Sequence, residues 1–483
     1  MSDVLEKVLE EFEKLSAIPR PSKVEFKVAA YLSERLKSLG AKVQIDNAGN
    51  VIGEVPATEG CESVPLVALQ AHMDMVCVSD GSVKYSPLSD GIKLQRDGEF
   101  LRAEGTSLGA DDGMGIAIIL YLLSTTNRHG RWRIIFTVDE EAGMSGAKEL
   151  SAGFLQDVKY FINVDSESAE EIVTGSAGSA KIEFVRKIEW TTPKLHDEGY
   201  VIRVKGLKGG HSGEAIHHKH VSAAKVMAEV LRRLDCGIAH FQIGSALNVI
   251  ASEAKASVIL PRNFRFEKKD LKTMCSELAQ EFSKKYDEPN LEIIARGIKH
   301  SGRMMRKADS KAMVTLMNEL VSGVFSGNES QDGSRSDRVS ANIGIVKSTN
   351  AAIYLEYMPR FHSLEGFEAI HRHATKAFIS SGCDECNLKG FSREWQSENN
   401  RLAECMMEVA KAQNYTRKLR VIHGGLECSH FIEKAPHLHI VSIGTTNLDI
   451  HSPKERLLLS SVEPTVALLL GTLERLTNMS EAR

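Results

Sequence analysis

The chain has 483 residues, 42% of them apolar and 26% charged, and its formal net charge is −4. Because one hydrophobic core usually stops growing at roughly 250 to 300 residues, this length predicts two domains. The nearly balanced charge gives no broad field that would attract nucleic acid or an anionic membrane, so a small-molecule partner is expected.

The amino-terminal segment and the cysteines predict a cytoplasmic protein. The first residues alternate charged with apolar side chains and lack the basic start and apolar core of a signal peptide. No stretch approaches the ~20 uninterrupted apolar residues of a membrane-spanning helix. The eight cysteines are scattered, as expected of reduced thiols. Cys383 and Cys386 form one local pair, but two ligands do not close a tetrahedral zinc site.

The first part of the chain predicts alternating helices and strands. Residues 4–15 place apolar side chains on one helical face, and the segment from Ser22 to Glu25 has the capping-box pattern of a second helix that should end near Gly40. Helical stretches at 115–124 and 145–155 separate strand-like runs at 41–45, 64–69, 133–138 and 159–164. This alternation is typical of an α/β fold with a mixed, mainly parallel sheet.

From about residue 179 the pattern changes to a second set of strands and helices, which continues to about residue 390. Its first elements are predicted at 181–186, 200–205 and 222–234. The final stretch, with a strand at 437–443 and a helix at 461–476, returns to the first pattern. We therefore predict a discontinuous domain, residues 1–178 and 391–483, and an inserted α+β domain, residues 179–390.

Acids and histidines gather where apolar runs end. His72 leaves one such run, and Glu140 and Glu141 follow another. The other members of the group are Asp74, Asp111, Asp165 and His451. Strand ends meet at one edge of an open sheet, and a protein rarely buries so many acids without a cation. The pattern predicts two divalent cations that share one carboxylate.

Each of these residues also has an ordinary structural interpretation. A single histidine at a strand end is commonly a hydrogen-bonded residue, and Asp111 with Asp112 could cap a helix that starts before Gly115. The adjacent Glu140 and Glu141 could be solvated loop residues. The metal interpretation is favoured by their joint position at strand ends.

Seven motifs occur in a defined order along the chain. They are Ala71-His-Met-Asp-Met75, Leu108-Gly-Ala-Asp-Asp-Gly-Met-Gly115, Glu140-Glu-Ala-Gly-Met-Ser-Gly-Ala147, Asn163-Val-Asp-Ser-Glu167, Gly209-Gly-His-Ser-Gly213, Ile422-His-Gly-Gly-Leu-Glu-Cys428 and His451-Ser-Pro453. With these motifs nearly the whole chain resembles the dipeptidases of the M20 metallopeptidase family, and specifically their aminoacyl-histidine (Xaa-His) branch. The resemblance implies a zinc-peptidase-like catalytic domain with an inserted lid that also forms a homodimer.

The resemblance also implies the ligands of two zinc ions per chain. One ion would be held by His72, Asp111 and Asp165, and the other by Asp111, Glu141 and His451. Asp111 would be the bridge. His and carboxylate ligands suit cobalt and manganese as well as zinc, so the sequence does not decide the metal.

The same resemblance implies the catalytic and substrate-binding residues. Glu140 would be the general base, Asp74 would orient His72, and His211 would polarise the scissile carbonyl. Arg360 would bind the substrate carboxylate through its planar guanidinium group. The further substrate contacts would be Asn248 and Gly425.

Several positions depart from the pattern of this branch. Ala215 and Ser222 replace an acid and an Asn-Ala helix start, and Ala251 and Ser252 replace part of an Arg-Asn-Ala-Ile-Pro-Arg segment around Asn248. These departures bear on substrate preference and dimer geometry rather than on the metals.

Two further features concern charge and metal ligands. Asp112 stands where the family often has an asparagine, and its carboxylate would add negative charge beside the metals. The run of His217, His218 and His220 could bind another metal, but it is more typical of a polar helix start.

These features predict a cytoplasmic, metal-dependent dipeptidase that hydrolyses unblocked dipeptides, with Xaa-His dipeptides such as β-Ala-His among the expected substrates. The alternative is a related hydrolase of N-acyl amino acids, or a carboxypeptidase. A non-catalytic binding homologue is disfavoured because the ligand set and Glu140 are intact. A nucleotide site at 109–115 is disfavoured because its two aspartates would repel phosphates.

Overall fold

Two nine-stranded sheets organise the part of the chain that the computed structural model describes, which covers residues 3–218, 220–262, 264, 270–300, 302–397 and 399–481. The helices are α1 Asp3–Ser16, α2 Phe26–Ser38, α3 Ala110–Thr125, α4 Glu140–Gly143, α5 Ser145–Glu149, α6 Ala223–Leu234, α7 Leu271–Tyr286, α8 Lys307–Glu319, α9 Leu364–Ser381, α10 Arg401–Ala412, α11 Cys428–Lys434 and α12 Val462–Glu481. None of them combines the length and apolar character that crossing a membrane requires.

The strands of the first half of the chain are β1 Lys42–Ile45, β2 Val51–Val55, β3 Val67–His72, β4 Leu94–Asp97, β5 Phe100–Ala103, β6 Trp132–Thr137, β7 Tyr160–Asn163, β8 Glu171–Ser176, β9 Gly178–Lys187, β10 Trp190–Thr191, β11 Glu198–Lys205 and β12 Gly237–Ile243. Those of the second half are β13 Ala254–Leu260, β14 Glu292–Ile298, β15 Met304–Met305, β16 Gly323–Ser326, β17 Val339–Ser348, β18 Ala352–Phe361, β19 Glu385–Ser392, β20 Trp395–Gln396, β21 Lys418–Ile422, β22 His439–Ser442, β23 Asn447–Leu448 and β24 Arg456–Leu458.

The first sheet is mixed, in the order β1-β2-β6-β3-β7-β22-β8-β20, with β21 beside β8. Its four central strands, β6, β3, β7 and β22, run parallel. Buried side chains of α1, α3 and α12 cover one face, and those of α11 cover the other. The predicted α/β class is confirmed. Because β3, β6 and β7 are parallel, their carboxyl ends meet at one edge and place the loops that follow them side by side.

The second sheet is antiparallel, in the order β14-β11-β13-β12-β17-β18-β9-β19, with β16 beside β17. The chain enters it between Ser176 and Gly178 and leaves it between Ser392 and Trp395. We use "inserted segment" for residues 179–390. It has an apolar core of its own, built from α6, α7, α8 and α9 against this sheet.

The predicted capping box at Ser22 to Glu25 is wrong, although α2 starts as expected. The hydroxyl of Ser22 donates to Oδ2 of Asp74 at 2.7 Å, and Oε1 of Glu25 accepts from the backbone N–H groups of Lys23 and Asp139. No side chain caps α2. Both side chains therefore serve a tertiary contact with the strand ends in place of the local cap.

The predicted helix at 145–155 is also shorter than expected. α5 ends at Glu149, and a separate 3-10 turn occupies Ala152–Phe154. The cause is Ser151, which is extended and whose hydroxyl accepts from the N–H of Gly153, so it starts a new turn.

Candidate active site

His72 is the last residue of β3, and its two ring nitrogens face different groups. Nε2 lies 3.0 Å from Oδ1 of Asp111 and 3.3 Å from Oδ1 of Asp165. Nδ1 lies 3.4 Å from Oδ1 of Asp74. One nitrogen thus faces the candidate ligands while the other faces a carboxylate, which is the usual environment of a metal-bound histidine.

Asp111 contacts both histidines of the candidate ligand set, one through each carboxylate oxygen. Oδ1 faces His72, and Oδ2 lies 3.1 Å from Nε2 of His451. The same Nε2 lies 2.9 Å from Oε2 of Glu141. Ligand atoms of a tetrahedral zinc site stand about 3.3 Å apart, because the metal–ligand bonds are about 2.0 Å long. The measured separations therefore fit two neighbouring cations joined by Asp111.

Asp74 ties the end of β3 to the start of α4. Its carboxylate accepts from the backbone N–H groups of Glu140 at 3.0 Å and Glu141 at 3.2 Å, besides the Ser22 hydroxyl. Asp74 is completely buried. A single carboxylate therefore touches the His72 ring and holds the backbone of both glutamates.

Asp111 and His451 do not follow buried strands, which corrects the expectation from the sequence. Asp111 lies at the amino-terminal end of α3, and His451 lies in the loop between the short strands β23 and β24. The other members of the group, His72, Asp74, the Glu140–Glu141 pair and Asp165, lie at or just after the ends of the parallel strands β3, β6 and β7. The apolar residues near Asp111 belong to α3. The expectation failed because a short apolar run does not distinguish a strand from a buried helix.

The glycines around Asp111 permit close approach of α3 to the sheet. A Cβ atom at Gly115 would stand 2.2 Å from the carbonyl oxygen of Val164, next to Asp165. A side chain there would push α3 away from the end of β7. The glycine therefore allows Asp111 and Asp165 to lie near the same imidazole.

Asp112 is already engaged by the backbone. Oδ2 accepts from the N–H of His72 and Oδ1 from the N–H of Gly115, both at 3.1 Å. Burial first, and then Asp165 and Asp111, raise the pKa of this carboxyl well above its usual value. Although its oxygens lie close enough to His72 and Asp165 to share an ion, we assign Asp112 to the support of β3 and α3, since both oxygens are used there.

The candidate ligands titrate abnormally because they are buried together. Burial opposes protonation of His451, but hydrogen bonds that its ring donates to Asp111 and Glu141 raise its pKa to about 11. Burial and the charge of Asp111 raise the pKa of Glu141 to about 7. Burial also raises the pKa of Glu140 well above its usual value. A site that raises the pKa values of His451 and of both glutamates lacks positive charge, which divalent cations would supply.

The predicted substrate residues lie where the inserted segment meets the sheet edge formed by the carboxyl ends of β3, β6 and β7, which we call the catalytic edge. Nε of Arg360 donates to Oγ of Ser212 at 3.3 Å, and the backbone N–H of Ser212 donates to the carbonyl of Asn248 at 2.7 Å. Burial first, and then Arg360 and His451, lower the pKa of His211 to about 3, so its imidazole is neutral. A Cβ atom at Gly425 would lie 3.8 Å from Met144, just after α4. The fold thus brings all four predicted residues to one region.

The departures in the inserted segment are mostly packing positions. Ser222 caps α6 by accepting from the N–H of Ala224, and the carbonyl of Ala251 accepts from Ala223. Ala251 and Ser222 are both 2% exposed.

The histidine run lies in the turns before α6, so it precedes the helix start that the simpler interpretation expects. The rings of His217 and His218 are 4.1 Å apart, and Nδ1 of His220 is hydrogen-bonded to the carbonyl of Gly209. Within the described ranges, the groups close enough to share an ion contain none of these histidines, nor Cys383 or Cys386.

Three buried charged residues support the site and were not predicted. Arg20 donates to the carbonyls of Met73 and Asp74, and Glu427 accepts from Gln70 and Thr137 beneath the strand ends. The carboxylate of Glu455 accepts from the first backbone N–H groups of α3. Glu427 lies in one of the seven motifs and Glu455 lies just after another, so the motifs could have indicated both residues. The sequence gives no indication of the role of Arg20, because Arg20 contacts backbone carbonyls, which every residue has.

A family model described as "Peptidase family M20/M25/M40" matches residues 68–475. The cytosol non-specific dipeptidase of Escherichia coli (strain K12) is 31% identical over 459 residues, which cover 93% of each chain. The solved structure of aminoacylhistidine dipeptidase from Vibrio alginolyticus superposes with a TM-score of 0.74 at 28% identity, covering 97% of this chain and 96% of that chain. The aminopeptidase PepT from Bacillus cereus shares the fold, with a TM-score of 0.56 at 19% identity over 98% of both chains. These matches confirm the resemblance seen in the motifs, and the chain belongs to peptidase family M20/M25/M40.

Proposed function

We propose that this protein is a metal-dependent dipeptidase that hydrolyses unblocked dipeptides, Xaa-His dipeptides among them. The observation that carries the proposal is the position of Asp111, whose two oxygens face His72 and His451 separately. A carboxylate in this position can join two cations. The dipeptidase relatives from Escherichia coli and Vibrio alginolyticus, which match along almost the whole chain, support the substrate class.

The ligand sets of the two proposed ions share Asp111. His72 and Asp165 complete the first set, and Glu141 and His451 complete the second. We propose zinc, with cobalt and manganese as substitutes, because two imidazoles and three carboxylates suit all three metals. When bound, such cations lower the pKa of a water molecule and polarise a carbonyl group.

Glu140 is proposed to move the proton of the hydrolytic water. Asp74 accepts from the backbone N–H groups of both glutamates, but the carboxylate of Glu141 faces His451, so Glu140 is the one assigned to proton transfer. Burial raises the pKa of Glu140, so its carboxylate readily takes a proton. Oε of Glu140 would accept the proton from water and pass it to the nitrogen of the leaving amine.

Substrate orientation is proposed to come from the inserted segment. Arg360 is 4% exposed and fully desolvated, and a planar guanidinium in such a position pairs strongly with a carboxylate. A neutral His211 can donate one N–H to the carbonyl oxygen that gains charge. We propose that Asn248 and Gly425 complete the pocket. A requirement for a free substrate carboxylate follows.

Location and assembly complete the proposal. We propose a cytoplasmic enzyme, in line with the Escherichia coli relative, which is a cytosol dipeptidase by name. We also propose a homodimer through the inserted segment, which would act as a lid. The edge strand β14 supports this, since Ile294 and Ile298 are 39% and 40% exposed and exposed edges pair readily with another chain. A monomer in sedimentation analysis would contradict the dimer.

The function is tested by hydrolysis of β-Ala-His, Gly-His and Leu-Gly, each compared with its N-acetylated and its carboxy-amidated form. The protein is assayed after chelation and after zinc or manganese is restored. We expect metal-restored cleavage of the free dipeptides alone, because Arg360 needs a carboxylate. Preferred cleavage of the N-acetylated forms would support the N-acyl amino acid hydrolase instead. Absence of cleavage with metals bound would contradict both.

A further inference from the structure

One face of the inserted segment carries three polar side chains at its contact with the rest of the molecule. Ser340 in β17 pairs directly with Arg360 in β18 across the antiparallel ladder. His362 follows Arg360 by two residues, and side chains two apart in a strand lie on the same side. All three are buried, with exposures of 1%, 4% and 6%. The face therefore presents a hydroxyl, a guanidinium and an imidazole together.

This face covers His423, which belongs to the other part of the chain. Nε2 of His423 lies 2.7 Å from Oγ of Ser340, and Nδ1 lies 3.0 Å from Nε2 of His362. The carbonyl of His423 accepts from Arg360 at 3.5 Å. We call Ser340, His362 and His423 the histidine latch.

The histidine latch lies where the chain passes between the two sheets. Ala177, the single residue between β8 and β9, donates its N–H to the carbonyls of Ile422 and Gly424, on either side of His423. Gly425, a proposed substrate contact, comes next in the chain. A change in the latch is therefore a change at the crossing point between the inserted segment and the catalytic edge.

The imidazole–imidazole bond requires at least one neutral ring, because one nitrogen must accept while the other donates, and two imidazolium rings would each present an N–H. Burial first, and then Arg338, lower the pKa of His362 to about 4. Burial first, and then His362 and Arg360, lower the pKa of His423 to about 2. The neutral pair thus leaves Arg360 as the charged group of this face that contacts the latch directly, free to pair with an anion.

We propose that His423 is a positioning residue: through Ser340 and His362 it fixes the inserted segment to the catalytic edge and holds Arg360 where a dipeptide carboxylate binds. This inference rests on the proposed function and extends it, since it assigns the placement of the carboxylate-binding residue to an interdomain contact. It also explains why both ring nitrogens of His423 are hydrogen-bonded to residues of the inserted segment.

Two substitutions of His362 separate positioning from general packing. His362 uses only Nε2 in the latch, and its Nδ1 has no hydrogen-bond partner among the described residues. Glutamine places a polar atom near the position of Nε2, whereas asparagine reaches only the position of Nδ1. His362→Gln should therefore keep the latch, and His362→Asn should break it. His430→Asn serves as a control, because His430 is 5% exposed but lies in α11, outside the latch.

We expect His362→Asn to raise KM for Leu-Gly about 5- to 10-fold and to change kcat by less than about twofold, because a lost hydrogen bond displaces Arg360 without touching the reacting groups. His362→Gln and His430→Asn should keep the wild-type KM. Deuterium uptake at Ala177 and at 421–425 should rise in His362→Asn only. Both measurements use the full chain with metal bound.

Equal KM values in the two His362 variants, or unchanged deuterium uptake in His362→Asn, would overturn the proposal. Increased uptake with an unchanged KM would overturn it as well, because the latch would then not position Arg360. If the wild-type protein cleaves no free dipeptide, the proposed function fails on its own. In that case the uptake of His362→Asn against His362→Gln still decides whether the latch fixes the inserted segment.

Discussion

Asp111 and Glu140 differ in what they contribute, although both are buried acids at the same site. Asp111 touches His72 and His451 with separate oxygens, so the proposed cations depend on it. Glu140 is tied to Asp74 through its backbone, which leaves its carboxylate available for proton transfer. Loss of the Asp111 carboxylate should therefore remove the metal, whereas loss of the Glu140 carboxylate should remove only turnover.

Glu140→Gln is expected to retain both metals and to lose turnover by about 10²- to 10⁴-fold, because an amide cannot accept the proton of water. Asp111→Asn is expected to lose metal, because an amide offers one neutral oxygen where two charged ones are needed. Metal content by mass spectrometry and kcat with Leu-Gly check both outcomes. The exposed Glu149→Gln is the control. Normal turnover in Glu140→Gln would refute its role as base.

At the scale of elements, the start of α3 depends on a residue far along the chain. The carboxylate of Glu455 accepts from the backbone N–H groups of Leu108, Gly109, Ala110 and Asp111 at 2.8 to 3.3 Å. Helix amino termini leave such N–H groups without partners, and a carboxylate there also interacts well with the helix dipole. Glu455 is 3% exposed, so water cannot take its place. The cap therefore stabilises α3 and sets the position of Asp111.

Glu455→Gln is expected to lower the free energy of unfolding by about 1–3 kcal/mol, because one oxygen is replaced by an amide group that cannot accept. Urea unfolding of the metal-free protein measures this loss. The exposed Glu99→Gln is the control. Metal affinity should fall as well, since Asp111 loses its support. Equal stability of the two variants would show that the cap contributes nothing.

For the whole molecule, the acidic site makes stability depend on pH when no metal is bound. Burial raises the pKa of Glu427 to about 8, and burial with Asp111 raises that of Glu141 to about 7. Groups with a raised folded-state pKa bind more protons when folded, so they stabilise at low pH and lose this contribution as pH rises through the folded-state value. His451, with its pKa raised to about 11, acts in the same direction. More than a third of its side chain is exposed, so we count its contribution as small.

The free energy of unfolding of the chelated protein is therefore expected to fall from pH 6.5 to pH 9, by on the order of 1–2 kcal/mol. Restored zinc or manganese should reduce this slope, because cations replace protons as the counter-charge. Urea unfolding at several pH values, with and without metal, provides the measurement. A metal-free protein whose stability is constant or rises over this interval would contradict the prediction.

Local sequence patterns by themselves predict several helices and strands of this protein and part of its site. Helical spacing of apolar residues predicted α1, apolar runs predicted β6 and β7, and the helical stretches at 115–124 and 222–234 predicted α3 and α6, because these signals lie in neighbouring residues. The same reasoning placed His72, Glu140, Glu141 and Asp165 at strand ends. The motifs supplied the family. The predicted roles of the ligand, catalytic and substrate-binding residues stay predictions.

Tertiary structure decided which residues contact one another at the site, because the two members of each pair are far apart in the chain. Asp111 and His451 are 340 residues apart, and Glu455 is 344 to 347 residues from the N–H groups that it caps. The hydroxyl of Ser22 donates to Asp74 and does not cap α2. His423 contacts Ser340 and His362 only when the inserted segment is in place. Periodicity carries no information about such pairs, because their free energy comes from burial and charge that exist only in the folded molecule.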